Sequence, residues 1–76
     1  MRIIDLDGPD GNAFFLLGQA QSWAKQLGYD YKSIIEEMKS GDYTNLCQTF
    51  HKHFKNIVQL ETSDENLVRA IYDCEV

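Results

Sequence analysis

Apolar side chains recur along most of the chain at the three- and four-residue spacing of an amphipathic helix. The clearest stretch runs from residue 13 to residue 27, with glutamine, serine and lysine side chains on the other side. Shorter stretches at 31–39 and 43–55 repeat the pattern, and a fourth extends to about residue 73. The core positions predicted from this spacing are Ala13, Leu16, Leu17, Ala20, Trp23, Ala24, Leu27, Ile34, Ile35, Met38, Tyr43, Leu46, Cys47, Phe50, Phe54, Leu67, Val68, Ile71 and Cys74.

Two short runs rich in isoleucine, valine and leucine predict strands at 2–6 and 57–61. The expected order is β-α-α-α-β-α, a helix-dominated α+β domain with a two-stranded sheet. Because two strands alone are marginally stable, the helices must supply most of the core. The sequence leaves open whether the strands run parallel or antiparallel. It also leaves open whether the last helix packs on its own chain or on a neighbouring molecule.

Residues at the expected helix ends carry the usual boundary signals. Asp10 or Asn12 is positioned to cap the first helix, and Gly28 follows its last periodic residue. Thr62 and Glu65 have the spacing of a capping box, which would open the last helix. We therefore expect one domain over residues 1–76, in which 61–76 form a C-terminal helical extension.

Two features of the first helix lead to specific expectations about its packing. Gly18 lies in the middle of the helix, where glycine costs about 1 kcal/mol relative to alanine. Close approach by another backbone would explain a glycine at this position. Phe14 and Phe15 lie near the helix start and are expected to widen its apolar, core-facing side.

Composition limits the classes of function that the chain can carry out. The 76 residues include 12 acidic and 7 basic side chains, giving a formal net charge of −5. Nucleic acid is an unexpected partner, because phosphate binding depends on a local concentration of cations. A domain of this size has one modest core, which leaves little room for a deep catalytic cleft. No cofactor is expected.

The sequence gives no sign of secretion or membrane insertion. The apolar run near the N-terminus is too short for a signal peptide, and no stretch approaches 18 apolar residues. We therefore expect a protein of a reducing cytoplasm with no membrane partner. In that compartment the thiols of Cys47 and Cys74 are expected to be free.

The segment 3–8, Ile-Ile-Asp-Leu-Asp-Gly, is similar to the first motif of haloacid-dehalogenase-type phosphatases. The resemblance implies a Mg²⁺-dependent phosphatase or phosphate-binding module, with Asp5 as nucleophile and Asp7 as acid/base. The pattern then departs from the family, since Pro9-Asp10-Gly11 stands where a threonine and apolar residues are usual. The alternative interpretation is a half-buried strand that runs into a turn.

A metal-stapled domain is a further alternative. Cys47 and His51 lie four residues apart on the third predicted helix, so that both could face one ion. Cys74 would have to complete the ligand set from the last helix. Cys47 also fits the apolar stripe of its helix, where a free cysteine behaves as a small hydrophobic residue. We adopt this core interpretation and expect neither a metal site nor catalytic residues.

Three strings resemble a family of short hypothetical proteins of tailed bacteriophages and prophages. They are Ile-Asp-Leu-Asp-Gly-Pro-Asp-Gly-Asn-Ala-Phe at 4–14, Ile-Ile-Glu-Glu-Met-Lys-Ser-Gly-Asp-Tyr at 34–43, and Phe-His-Lys-His-Phe at 50–54 with the strand that follows. The resemblance covers about residues 3–60 and supplies no functional residue. It implies a small phage-encoded accessory protein made in the bacterial cytoplasm, a class whose members often bind or inhibit a host protein.

These observations lead to the hypothesis of a non-enzymatic protein-interaction module. Its expected partner is a host or phage protein, and a homodimer is also open. The expected face combines the acidic turn at 5–12 with exposed aromatic residues between 29 and 43. The candidate contact residues are Asp7, Asp10, Asn12, Tyr29, Tyr31 and Tyr43.

Overall fold

The computed structural model describes residues 2–72. Its elements are strand β1 (Arg2–Asp5), a 3₁₀ turn (Pro9–Gly11), helix α1 (Ala13–Leu27), helix α2 (Tyr31–Lys39), helix α3 (Tyr43–Phe54), strand β2 (Val58–Glu61) and helix α4 (Glu65–Tyr72). The α+β class and the order β-α-α-α-β-α are confirmed, and most boundaries agree to within one or two residues.

The two strands pair in parallel, which answers the question that the sequence left open. Arg2 lies beside Val58 and Asp5 beside Glu61, so the carboxyl ends of both strands meet at one edge. The ladder extends past the last strand residues, because the Leu6 amide donates to the Glu61 carbonyl at 2.8 Å. The chain between the strands therefore travels the length of the molecule before β2 begins.

Short connections reverse the chain between successive helices. The rings of Tyr29, before α2, and Phe54, at the end of α3, lie 6.2 Å apart. At the opposite extreme the Tyr43 hydroxyl, at the start of α3, donates to the carbonyl of Gly11, just before α1. The molecule thus has two ends. We call them the carboxyl end, with connections 6–12, 40–42 and 62–64, and the amino end, with Arg2 and connections 28–30 and 55–57.

The core lies between the inner face of the sheet and the helices. Trp23 packs against Phe50 and Phe54, with ring centroids 5.9 Å and 6.0 Å away. Truncating either buried phenylalanine to alanine is expected to cost about 3–5 kcal/mol. Within residues 2–72 the buried apolar residues are Ile4, Leu16, Ala20, Ala24, Ile34, Met38, Leu46, Cys47, Phe50, Phe54, Val58, Leu60 and Ile71.

Helix α4 packs on its own chain, chiefly against α3. Ile71 is buried, and the Gln48 side chain donates to the Ala70 carbonyl at 2.9 Å. The Tyr72 hydroxyl donates to the Leu60 carbonyl of β2 at 2.7 Å. The part of the expected helical extension that follows Tyr72 lies outside the described residues.

The expectation for Gly18 is wrong. A Cβ added there would meet nothing within 4 Å, so no neighbouring backbone requires this glycine. The close approach occurs at Gly11 instead, where an added Cβ would lie 2.1 Å from the Leu6 carbonyl oxygen. A short turn folded back on its own strand requires glycine here, whereas the open helix surface does not.

The capping-box interpretation is also wrong, because α4 begins at Glu65 rather than just after Thr62. Asp64 is the cap, and its Oδ1 accepts hydrogen bonds from the amides of Asn66 and Leu67 at 3.0 and 3.3 Å. Three positions assigned to the core differ as well, because Leu27, Tyr43 and Val68 are exposed. Thr49, which the spacing does not assign to the core, is buried.

Candidate protein-binding surface at the carboxyl end

A turn at the carboxyl end follows β1 and is organised by Asp5. Its side-chain Oδ1 accepts a hydrogen bond from the Asp7 amide at 2.9 Å. Its carbonyl accepts one from the Gly8 amide at 3.2 Å. Both bonds stay within four residues, and the Asp5 side chain supplies the acceptor of one of them, as aspartate often does in turns.

Asp7 fastens this turn to the end of β2. Its carboxylate accepts hydrogen bonds from the Thr62 hydroxyl at 2.7 Å and from the Ser63 amide at 2.8 Å. These hydrogen bonds hold the pKa of the exposed Asp7 carboxyl below its usual value, and the bond from Thr62 has the largest effect. Asp7 was a candidate contact residue, and the structure gives its two oxygens a role in joining the strand ends.

Tyr43, at the start of α3, anchors the same turn. Its hydroxyl donates a hydrogen bond to the carbonyl oxygen of the buried Gly11. Burial raises the pKa of Tyr43, and the neighbouring Cys47 and Asp7 raise it further. The hydroxyl therefore remains protonated and able to donate. Hydrogen bonds at Asp7 and at Gly11 thus hold the turn at two points.

Asn12 and Phe14 form the step from the turn into α1. Asn12 caps the helix, since its Oδ1 accepts the Phe14 amide at 2.7 Å. The Phe14 side chain is 83% exposed, the largest exposed fraction among the large hydrophobic residues within 2–72. The expectation that it faces the core is wrong. Leu16, Ala20 and Ala24 mark the buried side of α1, and Phe14 lies about 200° around the helix from Leu16.

Carboxylates are concentrated at this end of the molecule. Asp10 is exposed on the turn only four residues before Phe14. Lys39 ends α2 at the same end of the molecule. Acidic residues within 2–72 that lie at the carboxyl end are Asp5, Asp7, Asp10, Asp42, Glu61, Asp64 and Glu65. The surface at this end is thus negative, with an aromatic ring projecting from it.

The last two candidate contact residues, Tyr29 and Tyr31, lie at the amino end rather than at the carboxyl end. Tyr29 is 45% exposed at the amino end, where its ring packs near Phe54. Tyr31 begins α2 at the same end, with the Lys25 ammonium 4.8 Å from its ring centroid. The structure therefore separates the expected face into two groups, because a 15-residue helix of about 22 Å lies between them.

The thiol of Cys47 belongs to the core. The residue is fully buried, and burial raises its pKa to about 11. His51 is also buried, with its ring 4.6 Å from that of Tyr72. Within residues 2–72 no group of three side chains is placed to hold a metal ion. Cys74, the third ligand of the metal-stapled alternative, lies outside the described residues.

A shallow depression of about 520 Å³ lies beside Asp5 and Asp7 and includes Thr62 and Ser63. This is where the phosphatase resemblance would place a substrate. The described residues that line it include carboxylates but no lysine, arginine or histidine. Both oxygens of Asp7, moreover, already accept hydrogen bonds. The geometry of Asp7 is that of a structural link rather than of an acid/base group free to meet a phosphate.

Among the helices of the described segment, none combines the length and the apolar character needed to cross a bilayer.

Comparison with known proteins adds no assignment to this surface. No protein-family model matches the chain, and neither the curated proteins nor the solved structures contain a match.

Proposed function

We propose that this chain is a non-enzymatic protein-binding module and that it binds its partner through the carboxyl end. The observation that carries the proposal is the exposure of Phe14 next to a turn that hydrogen bonds hold at the negatively charged carboxyl end. The proposed partner is a host or phage protein, in line with the resemblance to short phage proteins. Binding would occlude the partner's surface rather than modify it chemically.

The position of Phe14 supports a binding role more than a folding role. An aromatic ring that is 83% exposed contributes little to the core, yet its amide is fixed by the Asn12 cap. Aromatic residues held on rigid backbone are favoured contact residues, because little conformational entropy is lost when they bind. Asp10 and its acidic neighbours would select a basic surface and speed the encounter with it.

Affinity capture from bacterial lysate, read out by mass spectrometry, tests the proposal. The wild-type chain is expected to retain one partner in stoichiometric amount, and Phe14→Ala is expected to lose it. Tyr29→Ala is the matched control, because it removes an exposed aromatic ring from the amino end. Capture that survives Phe14→Ala but is lost with Tyr29→Ala would contradict the assignment to the carboxyl end.

The contribution of charge is tested by Asp10→Lys rather than by Asp7→Lys. Asp10 is exposed, whereas Asp7 also holds the strand ends together, so a change at Asp7 would disturb the fold. Asp10→Lys is expected to weaken capture, most strongly at low salt, because surface charges act over a screened distance. Equal capture by Asp10→Lys and wild type at low salt would remove the acidic residues from the proposal.

The phosphatase alternative, with Asp5 as nucleophile and Asp7 as acid/base, is supported by the parallel strands, which place Asp5 beside Glu61 at the edge where Asp7 also lies. It is tested by hydrolysis of an aryl phosphate with Mg²⁺ present. Turnover that is lost in Asp5→Asn would favour the enzyme. The absence of turnover with well-folded protein would eliminate this alternative.

A further inference from the structure

The amino end of the molecule is the electrostatic opposite of the carboxyl end. The basic side chains within 2–72 that lie at or beside it are Arg2, Lys25, Lys32, Lys52 and Lys55. Asp30 caps α2 at this end, and Glu37 contacts Lys52 from the side at 3.3 Å. Basic side chains are thus concentrated at the amino end, where α1 and α3 end. Carboxylates are concentrated at the carboxyl end, where both strands end.

An apolar depression opens at this basic end. It measures about 300 Å³ and is lined by Arg2, Trp23, Gln26, Leu27 and Ile57. An enclosed apolar cavity of roughly 150 Å³ takes up a benzene ring. The open depression at the amino end has a larger volume than that. The guanidinium of Arg2 lies 5.6 Å from the Trp23 ring centroid, which places a cation at the rim.

We infer that a second copy of this chain is a partner of the carboxyl end, docked head to tail with its Phe14 in the neighbour's apolar depression. The inference rests on the proposed function, because it names an occupant of the same surface. Charge complementarity carries it, since acidic residues at the carboxyl end meet Arg2 and the lysines of the next molecule. The exposed ring on one end and the apolar depression on the other supply the contact itself.

The contact is heterologous, because two different surfaces of the chain meet. The docked pair keeps one free carboxyl end and one free amino end, so association continues beyond the dimer. The molecule measures 32 × 23 × 22 Å, and its two shorter extents give a cross-section of about 500 Å². A contact that buries about 1,000 Å² in total lies at the lower limit for specific interfaces. Association is therefore weak and depends on protein concentration.

Sedimentation equilibrium on the full chain tests this inference. At about 0.01 M salt the weight-average mass is expected to rise above the 8.8 kDa monomer, and past the dimer, as concentration approaches about 1 mM. At about 0.15 M salt the association is expected to weaken, because the Debye length falls from roughly 30 Å to roughly 8 Å. A constant mass of 8.8 kDa throughout the low-salt series would overturn the inference.

Two variants identify the surfaces that meet. Phe14→Ala removes the inserted ring, and Leu27→Asp places a charge in the apolar depression. Each is expected to weaken self-association about tenfold or more. Phe14 and Leu27 are both exposed, so circular dichroism is expected to show both variants folded. Arg2→Glu is a second variant of the amino end, with the same expected loss. Self-association that neither Phe14→Ala nor Leu27→Asp reduces would overturn the inference.

Mixing the two variants gives the decisive result. Phe14→Ala keeps an intact amino end and Leu27→Asp keeps an intact carboxyl end. The intact carboxyl end of Leu27→Asp can therefore dock on the intact amino end of Phe14→Ala. The other two ends are altered, so assembly stops at a 1:1 dimer. A mixture that remains monomeric would overturn the head-to-tail arrangement. Failure here is distinguishable from failure of the proposed function, because Phe14-dependent capture of another protein is measured separately.

Discussion

Replacing Gly11 and Gly18 by alanine makes the same chemical change at two positions and is expected to alter stability in opposite directions. At Gly11 the new methyl group would lie 2.1 Å from the Leu6 carbonyl oxygen and 2.6 Å from its carbon. Leu6 cannot move away easily, because its amide is bonded to the Glu61 carbonyl of β2. Gly11 is held in turn by Tyr43.

The cost at Gly11 is that of overpacking against fixed backbone, about 1–3 kcal/mol. For a domain of this size that lowers Tm by roughly 4–24 °C, since each kcal/mol is worth roughly 4–8 °C. At Gly18 nothing obstructs the methyl group, and alanine is favoured over glycine in a helix by about 0.5–1 kcal/mol. Gly18→Ala is therefore expected to raise Tm by roughly 2–8 °C.

Thermal unfolding followed by circular dichroism, together with urea titration, measures both changes. Both variants add one methyl group to the unfolded chain. The effect of the substitution on the unfolded state is therefore the same, and the difference in stability between the variants reports on the folded state. If Gly11→Ala were as stable as wild type, the close approach of the turn to β1 would be refuted. If Gly18→Ala were destabilised, the open position of that residue on α1 would be refuted.

Other predictions concern side chains around the carboxyl end. Tyr43→Phe removes the bond to Gly11 and is expected to cost about 1 kcal/mol in urea titration, whereas an unchanged midpoint would count against the bond. Because the Asp7 pKa is lower in the folded chain than the unfolded value near 3.8, its carboxylate stabilises the fold above that pH. Asp7→Asn is therefore expected to lower Tm at pH 7, with a difference that disappears as the pH falls through the folded pKa, and a pH-independent difference would refute this. In a Cys74→Ser background, Cys47 is expected to resist alkylation at pH 8 until denaturant is added, and rapid labelling of native protein would contradict its burial.

The helices and the caps of α1 followed from the sequence because their signals are local. The periodic apolar residues of α1, the cap at Asn12 and the left-handed Gly28, with φ of 76°, are all where the pattern indicates. Strand direction did not follow, because the alternation of inward and outward residues is the same in parallel and antiparallel pairs. The cap of α4 was misplaced because Thr62 bonds to Asp7, a partner 55 residues away.

The candidate site was predictable only in part. The turn at 5–12 was located by its composition, but its fastening to β2 depends on the parallel pairing. Tyr29 and Tyr43 are 14 residues apart in sequence, yet the reversal of α2 places them at opposite ends. Phe14 was assigned to the core by hydrophobicity alone. A helical wheel centred on Leu16, Ala20 and Ala24 would have placed it on the outer side.

Site-specific photo-crosslinking in bacterial lysate tests the central claim, that Phe14 marks a protein-binding surface, most directly. A photoreactive phenylalanine analogue replaces Phe14 in one preparation and Gln21 in another. Gln21 is exposed on the same side of α1 about 10 Å further along, which makes it a matched control. We predict a discrete protein adduct, with a second copy or another partner, from position 14 and little from position 21. No adduct from position 14, or equal adducts from both positions, would contradict the account.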